Sequence, residues 1–175
     1  MAEPIRADAT IRQLCLRCGI CCNGVLFRDV ELEADDLKRP ALRHLGTNLL
    51  SGLPAKLPQP CAALGPDGRC RVYAERPGRC RAFECALFKE VQAGRREVPA
   101  ALRVIRTTLE RAERVKALLR QLGDTEETRA LSLRFQRLQR SLQACSLTEE
   151  SAAAYAELTL AVHDLNLMLG KEFHP

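Results

Sequence analysis

The feature that most constrains this chain is Cys15-Leu-Arg-Cys18-Gly-Ile-Cys21-Cys22, three cysteines at successive three-residue steps with a fourth directly after the last. Such spacing lets a tight loop turn several sulfurs toward one centre, with Gly19 free to take a positive φ there and Gly24 free to do the same just beyond. Adjacent cysteines such as Cys21 and Cys22 point in different directions, so the two need not serve one ion. Eight of the nine cysteines fall between Cys15 and Cys85, leaving only Cys145 in the second half. Thiolates packed together repel one another unless a cation holds them, so the constellation asks for metal.

A second cysteine group follows after a gap: Pro60-Cys61, then Gly68-Arg-Cys70-Arg-Val-Tyr73, then Arg76-Pro77-Gly-Arg-Cys80-Arg81-Ala-Phe83-Glu-Cys85. None of these repeats the two-residue gap, so folding must bring them to the first group, with Asp67-Gly68 making a hairpin-like turn between Leu64 and Val72. The sequence Glu31 to Arg43 suits a short helix until Pro40 interrupts it. Ser51 to Pro60, with three prolines, reads as an irregular connector.

Beyond Val98 the character changes. Pro99 suits a first helical turn, and Leu102, Ile105, Leu109, Ala112, Val115, Leu119 and Leu122 recur at helical spacing until Gly123. Asp124 with Glu127 reads as a capping box for a second helix carrying Leu131, Phe135, Leu138 and Leu142, which stops near Cys145. Ser146 with Glu149 repeats that pattern for a third, with Tyr155, Leu158, Val162, Leu165 and Leu169 on one stripe ending at Gly170. Aromatic residues are only 4% of the chain and Trp is absent, so the core must come from Leu, Ala and Val. The expected fold is mainly α: a loop-rich cysteine-cluster metal-binding module, residues 1–98, packed on an antiparallel three-helix assembly, residues 99–175, with the two forming one compact unit.

Cys15 to Cys22, followed by Cys61, Cys70 with Val72-Tyr73, and Arg76-Pro77-Gly-Arg-Cys80-Arg81-Ala-Phe83, resembles the YkgJ-type CxxCxxCC cysteine-cluster family, which is described as zinc- or iron-chelating. The similarity covers residues 15–88. It implies that Cys15, Cys18, Cys21, Cys22, Cys61, Cys70 and Cys80 are the metal-associated thiols. Cys85 departs from the family's usual apolar or aromatic continuation and stands as a further candidate ligand. The flagellin lysine-N-methylase family resembles the same cluster pattern, which implies that such a module can sit within proteins that modify other proteins. Residues 99–175 offer no recognisable catalytic set and no Gly-rich cofactor loop.

Three cysteines at this spacing plus a remote one resemble the ligand run of a 4Fe-4S cluster, although the bacterial ferredoxin run ends on Cys-Pro and here Pro60 precedes Cys61. Zinc more usually takes two CxxC pairs, and here the two steps share Cys18. An iron–sulfur cluster is therefore the expected cofactor, with Zn2+ as the alternative. Eight thiols exceed the four ligands of one tetrahedral ion or one cubane, which leaves two sites, or one site plus free thiols, open. A structural staple for a small loop-rich half remains the bland counterpart of a redox centre.

The remaining candidates follow from simpler chemistry. Arg76 and Arg81 are expected to donate to backbone or cluster sulfurs, or to pair with Glu75 and Glu84, while Tyr73 and Phe83 shield the site from water. His44, His163 and His174 read as surface or packing residues, and Cys145 as a small buried hydrophobe. The net charge of +5 comes with 22 arginines and five lysines. Arg103, Arg106, Arg111, Arg114, Lys116 and Arg120, interrupted by Glu110 and Glu113, read as a solvated helix face and not a nucleic-acid site. No run approaches the length needed to span a bilayer and the first residues lack a signal-peptide core, so a cytoplasmic protein is expected, with a protein partner meeting the C-terminal helices.

Overall fold

The computed structural model describes residues 14–45, 54–143 and 148–174. Its elements in chain order are α1 (14–18), β1 (Asp29–Glu31), α2 (Ala34–Leu37), β2 (Lys56–Pro58), α3 (Gly78–Ala82), α4 (Ala86–Gln92), α5 (Val98–Gln121), α6 (Leu131–Gln143) and α7 (Glu149–Glu172). The protein is thus mainly helical, with a loop-rich cysteine-bearing half and long helices after it, as the periodicity requires.

The three long helices form because each carries one apolar stripe. On α5 the residues Ala101, Ile105, Ala112, Val115, Leu118 and Leu119 are buried, and on α7 Ala154, Leu158, Leu165 and Leu169 are. These two helices run antiparallel: Thr108 Oγ1 donates to Met168 Sδ at 3.1 Å, while six residues later Arg114 reaches Glu157 at 2.9 Å. Pro99 lies in the first turn of α5, and Gly123 terminates it with φ +86°.

Three boundaries of the long helices differ from the sequence reading. Asp124 caps no helix: its carboxylate accepts from Arg134 Nε at 2.7 Å, and both side chains are buried. A buried guanidinium needs a charged partner, and that demand outweighs a local capping bond, so α6 begins only at Leu131. The second difference lies at α7, where Thr148 is the N-cap, its hydroxyl accepting from the Ser151 amide at 3.2 Å, while Ser146 falls outside the described residues. At its other end α7 passes through Gly170 and runs to Glu172, because Phe173 is fully buried and draws the last turn inward.

In the first half, β1 and β2 pair antiparallel, with Asp29 opposite Pro58, Val30 opposite Leu57 and Glu31 opposite Lys56. The connector expected to be irregular therefore contains a strand. Leu57 is buried and Lys56 Nζ meets Asp29 Oδ1 at 3.1 Å, which fixes the register from both faces. Because Glu31 is held in β1, the short helix starts later, at Ala34, and Pro40 opens a 3-10 turn, Pro40–Leu42, instead of ending the segment outright.

The buried residues form two clusters. The larger joins Leu14, Ile20 and Val25 with Leu87 and Val91 of α4 and with the stripes of α5, α6 and α7. The smaller holds Leu32, Leu42, Leu45, Ala55, Leu57 and Ala63. Arg96, which pairs with both Glu90 and Glu172, clips α4 to the end of α7.

Candidate metal centre

Cys15 and Cys18 stand one turn apart on α1, which brings both to one side of that helix. After Gly19, at φ +62°, the chain turns on itself, with the amides of Cys22 and Asn23 both donating to the Gly19 carbonyl at 2.9 Å. A Cβ on Gly19 would meet the Gly68 carbonyl oxygen at 3.0 Å, so the first motif is pressed against the turn that precedes Cys70. That turn is the expected hairpin: Gly65 donates to Arg69 O at 2.7 Å, Leu64 pairs with Cys70, and Gly68 has φ +76°. Gly24, at φ +76°, sits against Pro60 and Ala130, and its carbonyl accepts from the Leu131 amide at 2.8 Å. The loop after the motif is thereby fastened to the start of α6.

Cys80 is carried by α3, whose entry is held by Asp36. This buried carboxylate accepts from the Gly78 amide at 3.0 and 3.2 Å and from the Glu33 amide at 3.0 Å. Sequence reasoning did not single out Asp36; the Glu33-x-x-Asp36 spacing of a capping box was the available signal. Cys85 stands at the N-cap of α4, where its sulfur accepts from the Phe88 amide at 3.4 Å. That helix was not foreseen, because a cysteine cap gives no recognisable start signal and only Leu87 and Val91 mark its buried face.

All eight of these cysteines are free thiols, and all eight line one cavity of about 560 Å³. Its apolar wall includes Phe27, Tyr73, Phe83 and Phe88, while Ile105 of α5 and the buried Phe173 contribute the helical side. Phe27 and Phe83 meet edge to face at 5.0 Å. Tyr73 and Phe83 are thus placed where water exclusion requires them. His44, His163 and His174 are exposed and lie off the cavity. Cys145 lies outside the described residues.

Burial dominates the electrostatics of these thiols. Burial pushes Cys18 up to about 12, a rise tempered by the Ile20 amide and increased by Cys85 and Cys15. Burial and then the neighbouring Cys61, Cys70 and Cys80 push Cys22 up to about 12 as well. Cys80 rises to about 11, chiefly through burial and then Cys61. Cys21 is raised still further by burial and by Cys18, Cys22, Cys85 and Cys15. Partial desolvation raises the more exposed Cys15, followed by the influence of Cys85, and burial raises Cys61 and Cys85. Among the described residues, Arg76 is the one cation that lowers any of these thiols, acting on Cys15 and Cys80.

Arg76 stacks 3.8 Å above the Tyr73 ring and donates from Nε to the Tyr73 carbonyl at 3.0 Å, with Nη1 reaching the Cys80 carbonyl at 3.5 Å. It therefore bonds to backbone, as expected. Arg81 does not follow it: its side chain is exposed and, among the described residues, pairs with neither Glu75 nor Glu84. Gln59, another residue the sequence reading missed, is buried on the cavity wall with its Oε1 unpartnered.

The donor set fits a thiophilic metal by type and by number, and two sulfurs already accept backbone amides, Cys85 from Phe88 and Cys61 from Ala63, each at 3.4 Å. Among the described residues no three Cys, His, Asp or Glu side chains are closed around a single point. What the fold supplies is a lined cavity of about 560 Å³, well above the roughly 30 Å³ taken by one water in the liquid.

These features define a cysteine-cluster protein of the metal-chelating class. Residues 14–99 match the model of the CxxCxxCC family, described as a "putative zinc- or iron-chelating domain". The match begins one residue before Cys15 and ends just inside α5. Searches of curated proteins and of solved structures found no match to the chain. No helix among the described residues is long and apolar enough to cross a membrane.

Proposed function

We propose that the chain is an iron–sulfur protein, its 4Fe-4S cluster held by the cavity cysteines and serving a redox, sensing or accessory role in protein modification. The observation that carries this reading is the convergence of eight free thiols on one cavity whose size exceeds the need of a lone ion. Bound there, the cluster would supply one-electron chemistry. The chain's own part is to exclude water with Phe27, Tyr73, Phe83 and Phe88, to donate the Phe88 and Ala63 amides to sulfur, and to bring the Arg76 charge near Cys15 and Cys80.

The module of residues 1–98 carries the centre, and residues 99–175 close it from one side through Ile105 and Phe173. A cytoplasmic setting, where thiols stay reduced, suits this chemistry. The face of α7 that exposes Leu160 and Leu167, two turns apart, is where a protein partner would meet the helices. On the basic side, Arg114, Lys116 and Arg120 pair with Glu157, Glu113 and Glu127, which favours a solvated ion-paired surface over a nucleic-acid site.

A second reading, structural Zn2+ without catalysis, draws support from the smaller buried cluster, whose six residues make a slight core for so many loops. Iron, zinc and acid-labile sulfide measured on full-length protein purified anaerobically separate the two. Iron with matching sulfide is the expected result. Zinc without sulfide would replace the iron–sulfur reading with the structural one.

A further inference from the structure

We propose that the outward face of α7 pairs two copies of this chain, the helix packing antiparallel on its counterpart across a two-fold axis at Leu160. The inference deepens the reading that a protein partner meets this helix, and it names that partner as a second copy.

The first observation is that α7 is apolar on two opposite sides. One side, with Ala154, Leu158, Leu165 and Leu169, is buried within the chain. The other presents Ala153, Ala156, Leu160 and Leu167, and its two leucines stand 67% and 61% open to solvent. The neighbouring α5 is built otherwise: beyond its buried stripe it exposes Arg103, Arg106, Glu110, Glu113 and Arg114. A helix apolar all round belongs inside a structure, and the described residues cover α7 from one side.

The second observation is that the open side is complementary to itself. A two-fold contact presents the same patch from both copies, so in an antiparallel pair each position meets the one equally far beyond the axis. Glu149 and Lys171 each lie eleven positions from Leu160, close to three helical turns, and Ala153 and Leu167 each lie seven, close to two. All four therefore share the face of Leu160. Turned about that residue, Glu149 of each copy faces Lys171 of the other, and Leu167 faces the small Ala153, while Leu160 lies on its own counterpart. Both ends of the contact then close on opposite charges.

The same charges select the direction. Parallel helices in register would set Glu149 against Glu149 and Lys171 against Lys171. Lys171 is open to recruitment, being exposed and meeting Glu172 at 3.8 Å, whereas Glu157 is engaged by Arg114 of its own chain at 2.9 Å. His163 and Asp164, also exposed, flank the leucines at the rim, where polar groups stay wet.

Sedimentation velocity of the full-length chain over a concentration series tests the proposal. Wild type is expected to pass from the chain mass of 19.5 kDa to twice that mass as concentration rises. Leu160→Glu and Leu167→Glu should each weaken association about a hundredfold, since the two-fold axis places the change at the contact twice. Circular dichroism and metal content of both variants should stay at the wild-type level. At low ionic strength Glu149→Lys and Lys171→Glu should each weaken pairing about tenfold. An equimolar mixture of those two variants should recover it, because the mixed dimer opposes unlike charges at both ends. A wild type that stays monomeric at every concentration overturns the pairing and leaves the face to a different protein. A dimer indifferent to both leucine changes overturns it too, by placing the contact elsewhere, and a mixture no tighter than its components overturns the antiparallel register. Metal measured on the same samples separates the two readings: a dimer that holds no metal tells against the metal centre alone.

Discussion

The Cys61 amide donates to the Cys22 carbonyl at 2.7 Å, and this single bond joins two motifs separated by 39 positions of sequence. It places the second cysteine group against the last member of the first, and it does so through backbone, independent of any metal. The bond holds the backbone of the second cysteine group against that of the first.

That assembly makes a central cysteine and a remote one behave differently. Cys18 lies in the middle of the motif, lines the cavity and packs on the main core. Cys18→Ser should lower both metal content and folding stability, whereas Cys145→Ser should leave metal content unchanged. Metal analysis beside thermal unfolding of the two variants checks this, and full retention of metal by the first would remove Cys18 from the ligand set.

Gly19 and Gly68 form a matched pair for testing the loop. Both have positive φ, but a Cβ at Gly19 would meet Gly68 O at 3.0 Å while one at Gly68 meets nothing within 4 Å. Either change to Ala incurs the left-handed backbone cost of roughly 1–2 kcal/mol. Gly19→Ala should lose more, because the hairpin before Cys70 must also move. Denaturant midpoints give the difference, and equal losses would mean that the close approach matters little.

Much of this was legible in the sequence wherever a short-range physical rule decided the outcome. The stripes of α5 and α7, the positive φ of Gly19 and Gly24, the Asp67-Gly68 turn and the cysteines that line the cavity all follow from spacing and residue type. What escaped depends on distant partners. Nothing near Asp124 announces that Arg134 will be buried beside it, and nothing near Lys56 announces a strand until Glu31 lies opposite. Cys85 as a helix cap and Gln59 on the cavity wall belong to the same class, since each is defined by what folding brings to it.

The Asp124 and Arg134 pair carries its own prediction. Both side chains are buried, and Arg134 Nη2 has no partner, so the ion pair depends on the 2.7 Å bond from Nε. Asp124→Asn leaves an uncompensated guanidinium and should cost about 3–5 kcal/mol. Replacing both, as Asp124→Leu with Arg134→Leu, should be less harmful than that single change. Chemical denaturation of the single and double variants tests the coupling; additive losses would show that the pair acts as two independent side chains.

The pH response should reverse with metal. In the metal-free chain Cys18 and Cys22 are pushed from 9.0 up to about 12 and Cys80 to about 11, burial being the first cause at each. A folded-state pKa above the unfolded value means that the fold prefers the protonated thiol. That stability is complete below about pH 9 and is lost progressively as pH climbs toward 12. In the loaded chain the sulfurs must be thiolates, so protons compete with the metal and acid is the destabilising direction. Thermal unfolding with chelator and reductant should therefore show the melting temperature falling above pH 9, while the loaded protein loses stability and metal as pH drops. A metal-free chain whose melting temperature holds steady from pH 9 to 11 would mean that these thiols reach water freely, and would argue against the burial that raises them.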